Sequence, residues 1–317
     1  MSASLDTAGR PVSAPPRRSA ARRLARVIRR NPVAFALVLI APALVLRLFT
    51  ALWPFIDTAW ISLHNAGPLV PEEKWVGLEN YSRLLSTDVI RSSLGFTFLF
   101  TVLSTIGEIV IGTAIAVLLN ARFRGRRFAR SITLIPWAIP VVVTAIGFRF
   151  ALDPQSGLFA HWLNTLLGVD TQWLLEPWPA RISLIGTNVW RNAPFVAIIV
   201  LAALQAIPEE VYEAARTDGA RGVRQFWHIT LPLITPVLLS VAIFFLIWQV
   251  ATLDLVLAMT GGGPGDSTNV LAYEAYLRGF QGLKFGESAA LSMVLFGFVA
   301  VFALVGTYFL RRAERRL

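Results

Sequence analysis

Cysteine is absent from this chain of 317 residues, and histidine and charged residues are scarce. Without cysteine there is no disulfide framework, no thiol catalysis and no cysteine-ligated metal site. The three histidines, His64, His161 and His228, are far apart and match no metal-binding spacing. No Ser/His/Asp arrangement is visible either. We therefore expect no catalytic residue, no metal and no cofactor bound by this chain.

Charged residues make up only 15% of the chain, whereas hydrophobic residues make up 55% and the mean hydropathy is +0.61. A soluble domain would carry about 25% charged residues. Several apolar runs reach about 20 residues or more, which is the length that a helix needs to cross a bilayer. The sequence therefore predicts an all-α, polytopic membrane protein.

Six transmembrane helices are predicted from these runs. Each is long enough to cover a hydrocarbon core of about 30 Å at a rise of about 1.5 Å per residue. They cover residues 33–56, 95–119, 132–152, 182–206, 233–258 and 289–310. We expect residues 32–317 to form one transmembrane domain and residues 1–31 to form a basic tail, partly disordered. The tail either lies on anionic lipid as an interfacial helix or is a solvated segment that only sets orientation.

The distribution of basic residues predicts the orientation of the bundle. With both termini cytoplasmic, the cytoplasmic segments hold 20 Lys and Arg residues and the external loops hold six. By the positive-inside rule, this excess places both termini and the loops 120–131 and 207–232 in the cytoplasm. Because the basic residues are spread over separate loops rather than gathered in one stripe, they do not indicate nucleic-acid binding.

Residues 207–232 (IPEEVYEAARTDGARGVRQFWHITLP) form a polar segment between two long apolar runs. Pro208 suits the first turn of a helix, and Gly219 suits a left-handed cap at the end of one. The sequence predicts a short helix over 208–217 and a second helical piece over 222–230 that leads into the fifth span. The segment either docks a soluble partner or packs on the protein's own inner surface, and the residue pattern leaves both open.

The same segment resembles a known family signature. It matches the cytoplasmic loop signature of the permease subunits of binding-protein-dependent ABC importers. The matching residues are Glu213, Ala214, Ala215, Gly219, Ile229, Leu231 and Pro232. Two further stretches, 76–81 (VGLENY) and 260–265 (TGGGPG), are similar to the carbohydrate-uptake branch, the maltose and glycerol-phosphate permease type. The resemblance covers about residues 35 to 312.

The resemblance implies the type I permease fold of ABC importers and a place in the plasma membrane of a bacterial type of cell. It implies that the chain, with a second and similar permease subunit, forms a translocation pathway for a sugar or sugar-like solute. Two ATPase subunits, which bind ATP and Mg, would dock beneath, and an extracytoplasmic solute-binding protein would deliver the solute. The residues implied in coupling to the ATPase are Glu213, Ala214, Ala215, Asp218, Gly219, Ile229, Leu231 and Pro232.

Two charged residues lie near mid-depth of predicted spans, Glu108 in the second and Arg191 in the fourth. An unpaired charge at that depth costs roughly 2.5–3.5 kcal/mol on insertion scales, so such groups find partners inside the bundle. We therefore hypothesise that Glu108 and Arg191 lie close together as a buried ion pair. Such a pair either holds helices together or lines the solute path.

Candidate contacts with a solute lie in spans four and five. They are Asn188, Arg191, Asn192, Trp248, Gln249 and Asp254. Binding sites for small solutes combine apolar or aromatic walls with a few polar groups that fix orientation, and these side chains supply both. The alternative for span five is that Trp248 only packs and that Asp254 caps the outer end of the helix.

Two other classes of protein fit less of the sequence. A self-sufficient, ion-coupled secondary transporter is favoured by paired repeats and buried acids. Glu108 and Asp254 fit that class, but no repeat is visible. A membrane-embedded enzyme needs an acid, base or metal set near an interface, and none is visible. Residues 261–268 (GGGPGDST) lack the Lys of a phosphate-binding loop, so an ATP-driven mechanism needs a separate ATPase.

Overall fold

The computed structural model describes residues 32–121 and 123–315. The predicted basic tail, residues 1–31, lies outside these described residues. The chain divides into two compact units, Met1–Asp57 and Thr58–Leu317. In the first unit the described residues are helical, and none of their described side chains is buried.

Helices make up most of the described chain, as predicted. In chain order they are α1 (Pro32–Arg47), α2 (Trp53–Ile61), α3 (Glu79–Ser86), α4 (Asp88–Asn120), α5 (Arg126–Thr133), α6 (Ile135–Ala138), α7 (Val141–Ala151), α8 (Leu158–Leu167), α9 (Pro177–Gln205), α10 (Glu209–Thr217), α11 (Val223–Gln225), α12 (Leu231–Val250), α13 (Asp254–Met259), α14 (Leu271–Tyr276) and α15 (Phe285–Glu314). Three π turns extend helices: Leu48–Leu52 joins α1 to α2, Phe226–Thr230 joins α11 to α12, and Leu277–Gln281 lengthens α14. Two short strands, β1 (His64–Asn65) and β2 (Lys74–Trp75), pair antiparallel.

Five described helices are long and apolar enough to cross a membrane, and one bent helix pair adds a sixth if it counts as one span. The five are Phe35–Ile61, Asp88–Asn120, Pro177–Gln205, Val223–Val250 and Phe285–Ala313, and the bent pair is Arg126–Ala138 with Val141–Ala151. The described residues thus agree with six predicted spans. The second, fourth and sixth helices are longer than the predicted spans.

The third predicted span, 132–152, is not one straight helix. Its two halves are bent by 88°. The break lies at Ile139, which is extended at φ −74° and ψ 133°, and at Pro140, which has ψ 140°. Proline disfavours the helical conformation of the preceding residue and donates no backbone hydrogen bond, so the first half ends there.

The fifth predicted span, 233–258, is also interrupted. Helix α12 ends at Val250, and α13 begins at Asp254 after three non-helical residues. Asp254 therefore does not cap the end of α12, which was the alternative to its role as a solute contact. It lies in the first turn of α13, where a carboxylate is favourable because the first backbone N–H groups carry a partial positive charge.

A buried asparagine fixes the loop that follows α2. Asn80 is 1% exposed, and its Nδ2 donates to the carbonyl oxygens of Ser62 and His64, both at 2.9 Å. Tyr81 Oη donates to Ser62 Oγ at 2.7 Å. Asn80 and Tyr81 lie on α3 and belong to the stretch 76–81. Their hydrogen bonds to Ser62 and His64 hold the strand pair against α3.

The second unit packs around α4 and α9, which make its most extensive helix–helix contact. One apolar cluster includes Phe100 and Leu184 and extends to α13. A second cluster includes Ala116 and Val200 and extends to α12. Along α4, Glu108 lies between the two clusters, so a polar layer separates two apolar layers.

Helices α4 and α9 approach each other closely at Gly112. A Cβ atom on Gly112 would lie 2.7 Å from Val196 Cβ and 2.8 Å from the carbonyl oxygen of Ala193. Glycine is therefore required at this position unless one helix backbone moves. Gly95, on the same helix, has no atom within 4 Å of an added Cβ.

Replacing Gly112 by alanine is expected to destabilise the protein by about 1–3 kcal/mol, because the methyl group overpacks the helix interface. Gly95→Ala is the matched control, since it adds the same group to the same helix in open space, where alanine is the better helix former by roughly 1 kcal/mol. Thermal unfolding of both purified variants in one detergent measures the difference. Equal unfolding midpoints would contradict the close approach.

Candidate functional site

A hydrogen-bonded polar node lies between the two apolar clusters. It consists of Glu108 on α4, Asn188 and Asn192 on α9, and Gln249 on α12. Glu108 is 0% exposed. Its Oε1 accepts hydrogen bonds from Gln249 Nε2 at 2.6 Å, Asn192 Nδ2 at 2.9 Å and Asn188 Nδ2 at 3.2 Å. Three helices therefore meet at one carboxylate oxygen.

The amides of the polar node also bond to one another. Asn188 Nδ2 donates to Gln249 Oε1 at 2.8 Å, and Asn192 Nδ2 donates to Asn188 Oδ1 at 3.2 Å. Asn188 and Asn192 are four residues apart, so they lie on one face of α9. Sequence reasoning placed Gln249 among the solute contacts but not beside Glu108. The available signal was that polar residues of different spans lie at a similar depth.

The hypothesised direct ion pair between Glu108 and Arg191 is not formed among the described residues. Arg191 Nη1 instead donates to Asn192 Oδ1 at 2.9 Å, and Asn192 donates to Glu108. The two charged groups are thus connected by hydrogen bonds through the side-chain amide of Asn192 rather than by direct contact. The reason is that consecutive residues project about 100° apart around a helix, so Asn192 faces α4 and Arg191 does not.

All six predicted solute contacts line one cavity of about 370 Å³, which we call the polar cavity. They are Asn188, Arg191, Asn192, Trp248, Gln249 and Asp254. Trp248 is 63% exposed and stacks on Phe244 with ring centroids 5.8 Å apart. Asp254 is exposed. Residues 251–255 also line the cavity, so the break between α12 and α13 helps to form it.

A larger cavity of about 780 Å³ lies between α7, α8 and α9. Its wall is formed mainly by apolar side chains. Because it offers few hydrogen-bonding groups for a hydroxylated solute, the smaller polar cavity is the better candidate site. Among the described residues, no group of three His, Cys, Asp or Glu side chains is placed to hold a metal ion.

The helix predicted in the 207–232 loop is present as α10, which starts one residue later than predicted. Its end forms a Schellman motif: Gly219 N–H donates to the Arg216 carbonyl at 3.1 Å, and Ala220 N–H donates to the Ala215 carbonyl at 2.9 Å. Gly219 has φ +80°, a left-handed conformation that favours glycine. The prediction of Gly219 as a helix cap is confirmed.

The predicted coupling residues divide into an exposed set and an inward set. Exposed are Glu213, Ala214, Asp218, Gly219 and Pro232, whereas Ala215 is buried and Ile229 and Leu231 are partly buried. Tyr212, which sequence reasoning did not single out, connects the two halves of the loop. Gln225 Nε2 donates to the Tyr212 carbonyl and Thr230 Oγ1 to Tyr212 Oη, both at 3.4 Å. Helix then continues from α11 through a π turn into α12.

These features occur in a chain that matches a described transport family. The family described as "Binding-protein-dependent transport system inner membrane component" matches residues 108–317. The match covers more than half of the chain and includes the polar node, the polar cavity and the 207–232 loop. The chain belongs to this family and is a multi-pass permease subunit of an ABC importer.

Individual relatives indicate which branch of the family this chain is similar to. The chain is 36% identical over 275 residues to the "Trehalose/maltose transport system permease protein MalF" of Thermococcus litoralis, covering 86% of this chain and 93% of that protein. It is 32% identical over 269 residues to the "sn-glycerol-3-phosphate transport system permease protein UgpA" of Salmonella typhi, covering 84% and 91%. The resemblance to the maltose and glycerol-phosphate permease type is confirmed, and the alternative of a secondary transporter finds no support.

Solved structures share the fold. A chain of the "bacterial ABC transporter involved in the import of the acidic polysaccharide alginate" gives a TM-score of 0.77 at 22% identity, over 92% of this chain and 99% of that chain. A chain of the "MetNI methionine ABC transporter" gives a TM-score of 0.52 at 23% identity, over 74% and 98%. At these identities the likeness concerns the fold alone, which is the predicted ABC importer permease fold.

The relay through Asn192 predicts an energetic coupling between Glu108 and Arg191. In a double-mutant cycle with Glu108→Gln and Arg191→Met, we expect an interaction free energy of about 0.5–1 kcal/mol from thermal unfolding of the purified protein. In an Asn192→Leu background the same cycle should give a smaller interaction free energy, because the connecting amide is gone and only the direct attraction of the two charges remains. Strictly additive losses with Asn192 in place would rule out the relay.

Proposed function

We propose that this permease subunit forms half of the translocation pathway of an ATP-driven importer for a sugar or sugar-like solute. The observation that carries the proposal is the polar cavity, in which an indole ring, three amides, a guanidinium and a carboxylate line one space. Such a wall combines an aromatic face with several hydrogen-bonding groups, which suits a hydroxylated solute. The names of the relatives, for trehalose and maltose and for glycerol phosphate, support the same solute class.

The 207–232 loop couples the bundle to an ATPase subunit on the cytoplasmic side, where both termini also lie. Exposed Glu213 and Ala214 face the partner, whereas buried Ala215 seats α10 against this chain. The Schellman motif fixes the end of α10, so the helix resists fraying when it is pushed. Because the loop runs directly into α12, a displacement of α10 is transmitted to α12.

The working assembly contains a second, similar permease subunit, two ATPase subunits and an extracytoplasmic solute-binding protein. ATP and Mg are bound by the ATPase subunits, since residues 261–268 of this chain lack the Lys of a phosphate-binding loop. A structural neighbour, the alginate transporter, was solved "in complex with alginate pentasaccharide-bound periplasmic protein", which supports the place of a binding protein. The second permease subunit completes the pathway around the polar cavity.

Gly219→Pro is expected to leave the protein in the membrane but abolish its assembly with the ATPase. Proline fixes φ near −65°, which is incompatible with +80° at this position, and it removes the N–H that bonds to Arg216. Co-purification of a tagged ATPase subunit measures assembly. Gly125→Pro is the control, because Gly125 is also left-handed, at φ +88°, but lies in another loop. Transport that survives Gly219→Pro would contradict the docking assignment.

Trp248→Ala is expected to raise the KM for solute uptake about tenfold, equivalent to about 1.4 kcal/mol, because the aromatic face of the polar cavity is lost. Uptake of radiolabelled trehalose, maltose and sn-glycerol 3-phosphate into proteoliposomes that contain the whole importer measures this. Trp53→Ala is the matched control, since Trp53 is 64% exposed, close to the 63% of Trp248, but lies on α2. An unchanged KM in the Trp248 variant would exclude the polar cavity as the solute path.

A further inference from the structure

Glu108 is separated from the polar cavity by the three amides that bond to it. Asn188, Asn192 and Gln249 line the cavity, whereas Glu108 does not and is 0% exposed. Glu108 Oε1 acts as an acceptor, so each amide must turn its nitrogen towards it. An amide offers a donor at one end and acceptor sites at the other. The carboxylate therefore determines which donor and acceptor atoms of each amide remain free to contact a solute in the cavity.

The hydrogen bonds of the polar node leave a defined set of free atoms. Asn188 uses both of its N–H groups, on Glu108 and Gln249, and Asn192 uses both of its own, on Glu108 and Asn188. Each asparagine oxygen accepts one hydrogen bond and keeps one acceptor site. The Gln249 oxygen accepts two, from Asn188 and Thr252, and its nitrogen keeps one N–H.

We propose that Glu108 is a positioning residue for solute recognition. By holding three amides in one orientation, it makes the cavity wall present two acceptor oxygens on α9 and one N–H donor on α12. Two hydroxyl groups of a solute can donate to the oxygens, and a third oxygen can accept from Gln249. With the amides reversed, the wall would present N–H groups and would suit acceptor-only groups such as carboxylates. Glu108 thus selects a hydroxyl-bearing face of the solute without touching it.

This inference rests on the proposed function, because it needs the polar cavity to be the solute path. A matched control separates positioning from the general effect of removing a buried carboxylate. Glu274 is 3% exposed, accepts a hydrogen bond from Asn269 Nδ2 at 2.6 Å and is paired with Arg278. It does not line the polar cavity.

The experiment measures the concentration dependence of uptake of radiolabelled trehalose, maltose and sn-glycerol 3-phosphate by the whole importer in proteoliposomes. Glu108→Gln is expected to raise KM about five- to tenfold with the maximal rate within about twofold, because a glutamine can turn either end to the three amides. Glu108→Met offers no comparable acceptor and is expected to raise KM more than tenfold. Glu274→Gln is expected to leave KM unchanged, whatever its effect on the unfolding midpoint.

The outcomes separate the inference from the proposed function. If Trp248→Ala leaves KM unchanged, the cavity is not the path and both proposals fail. If Trp248→Ala raises KM but neither Glu108 variant does, only the positioning role is overturned. It is also overturned if the Glu108 variants lower stability or maximal rate, as a purely structural residue would, with KM unchanged. If Glu108→Met does not assemble, Glu108→Gln alone decides.

Discussion

A single carboxylate oxygen, Oε1 of Glu108, accepts one hydrogen bond from α12 and two from α9, and it does so between two apolar clusters. Apolar contacts stabilise helix packing but have no direction, so they do not by themselves fix rotation or axial register. Hydrogen bonds in a water-poor interior do fix them, because a misplaced helix leaves buried polar groups unsatisfied at about 1–3 kcal/mol each. The polar node therefore determines how α4, α9 and α12 align.

The packing around the node explains why it can form. Gly112 lies four residues after Glu108, and Val196 lies four residues after Asn192, so the Gly112–Val196 contact is one helical turn from the Glu108–Asn192 hydrogen bond. The missing side chain at Gly112 brings the two helices close together, and the asparagine then reaches the carboxylate. A close steric contact and a polar contact thus act as one unit along the same helix pair.

Hydropathy and loop patterns predicted the number of spans and the short helix of the 207–232 loop, because both depend on local sequence. Pro140 gave a signal for the break in the third span, since proline can kink or end a helix, whereas the break after Val250 was not predicted. The predicted direct ion pair between Glu108 and Arg191 also differs from the structure, in which amides bond to Glu108. Coulomb attraction selected Arg191 from the sequence, but the rotation of α9 turns Asn188 and Asn192 towards α4. That rotation depends on tertiary packing. The i, i+4 spacing of Asn188 and Asn192 is the feature of the sequence that indicates this rotation, because it places both asparagines on one face of α9.

The continuous helix Val223–Val250 has 28 residues, a length of about 42 Å. Gln249, next to its last residue, is bonded to Glu108, so the rod is pinned near one tip. A rod pinned in this way pivots about the pin, and its free tip sweeps about 0.7 Å of arc for each degree of tilt over that length. A tilt about Gln249 would therefore displace the polar node least and the end of the helix in the 207–232 loop most.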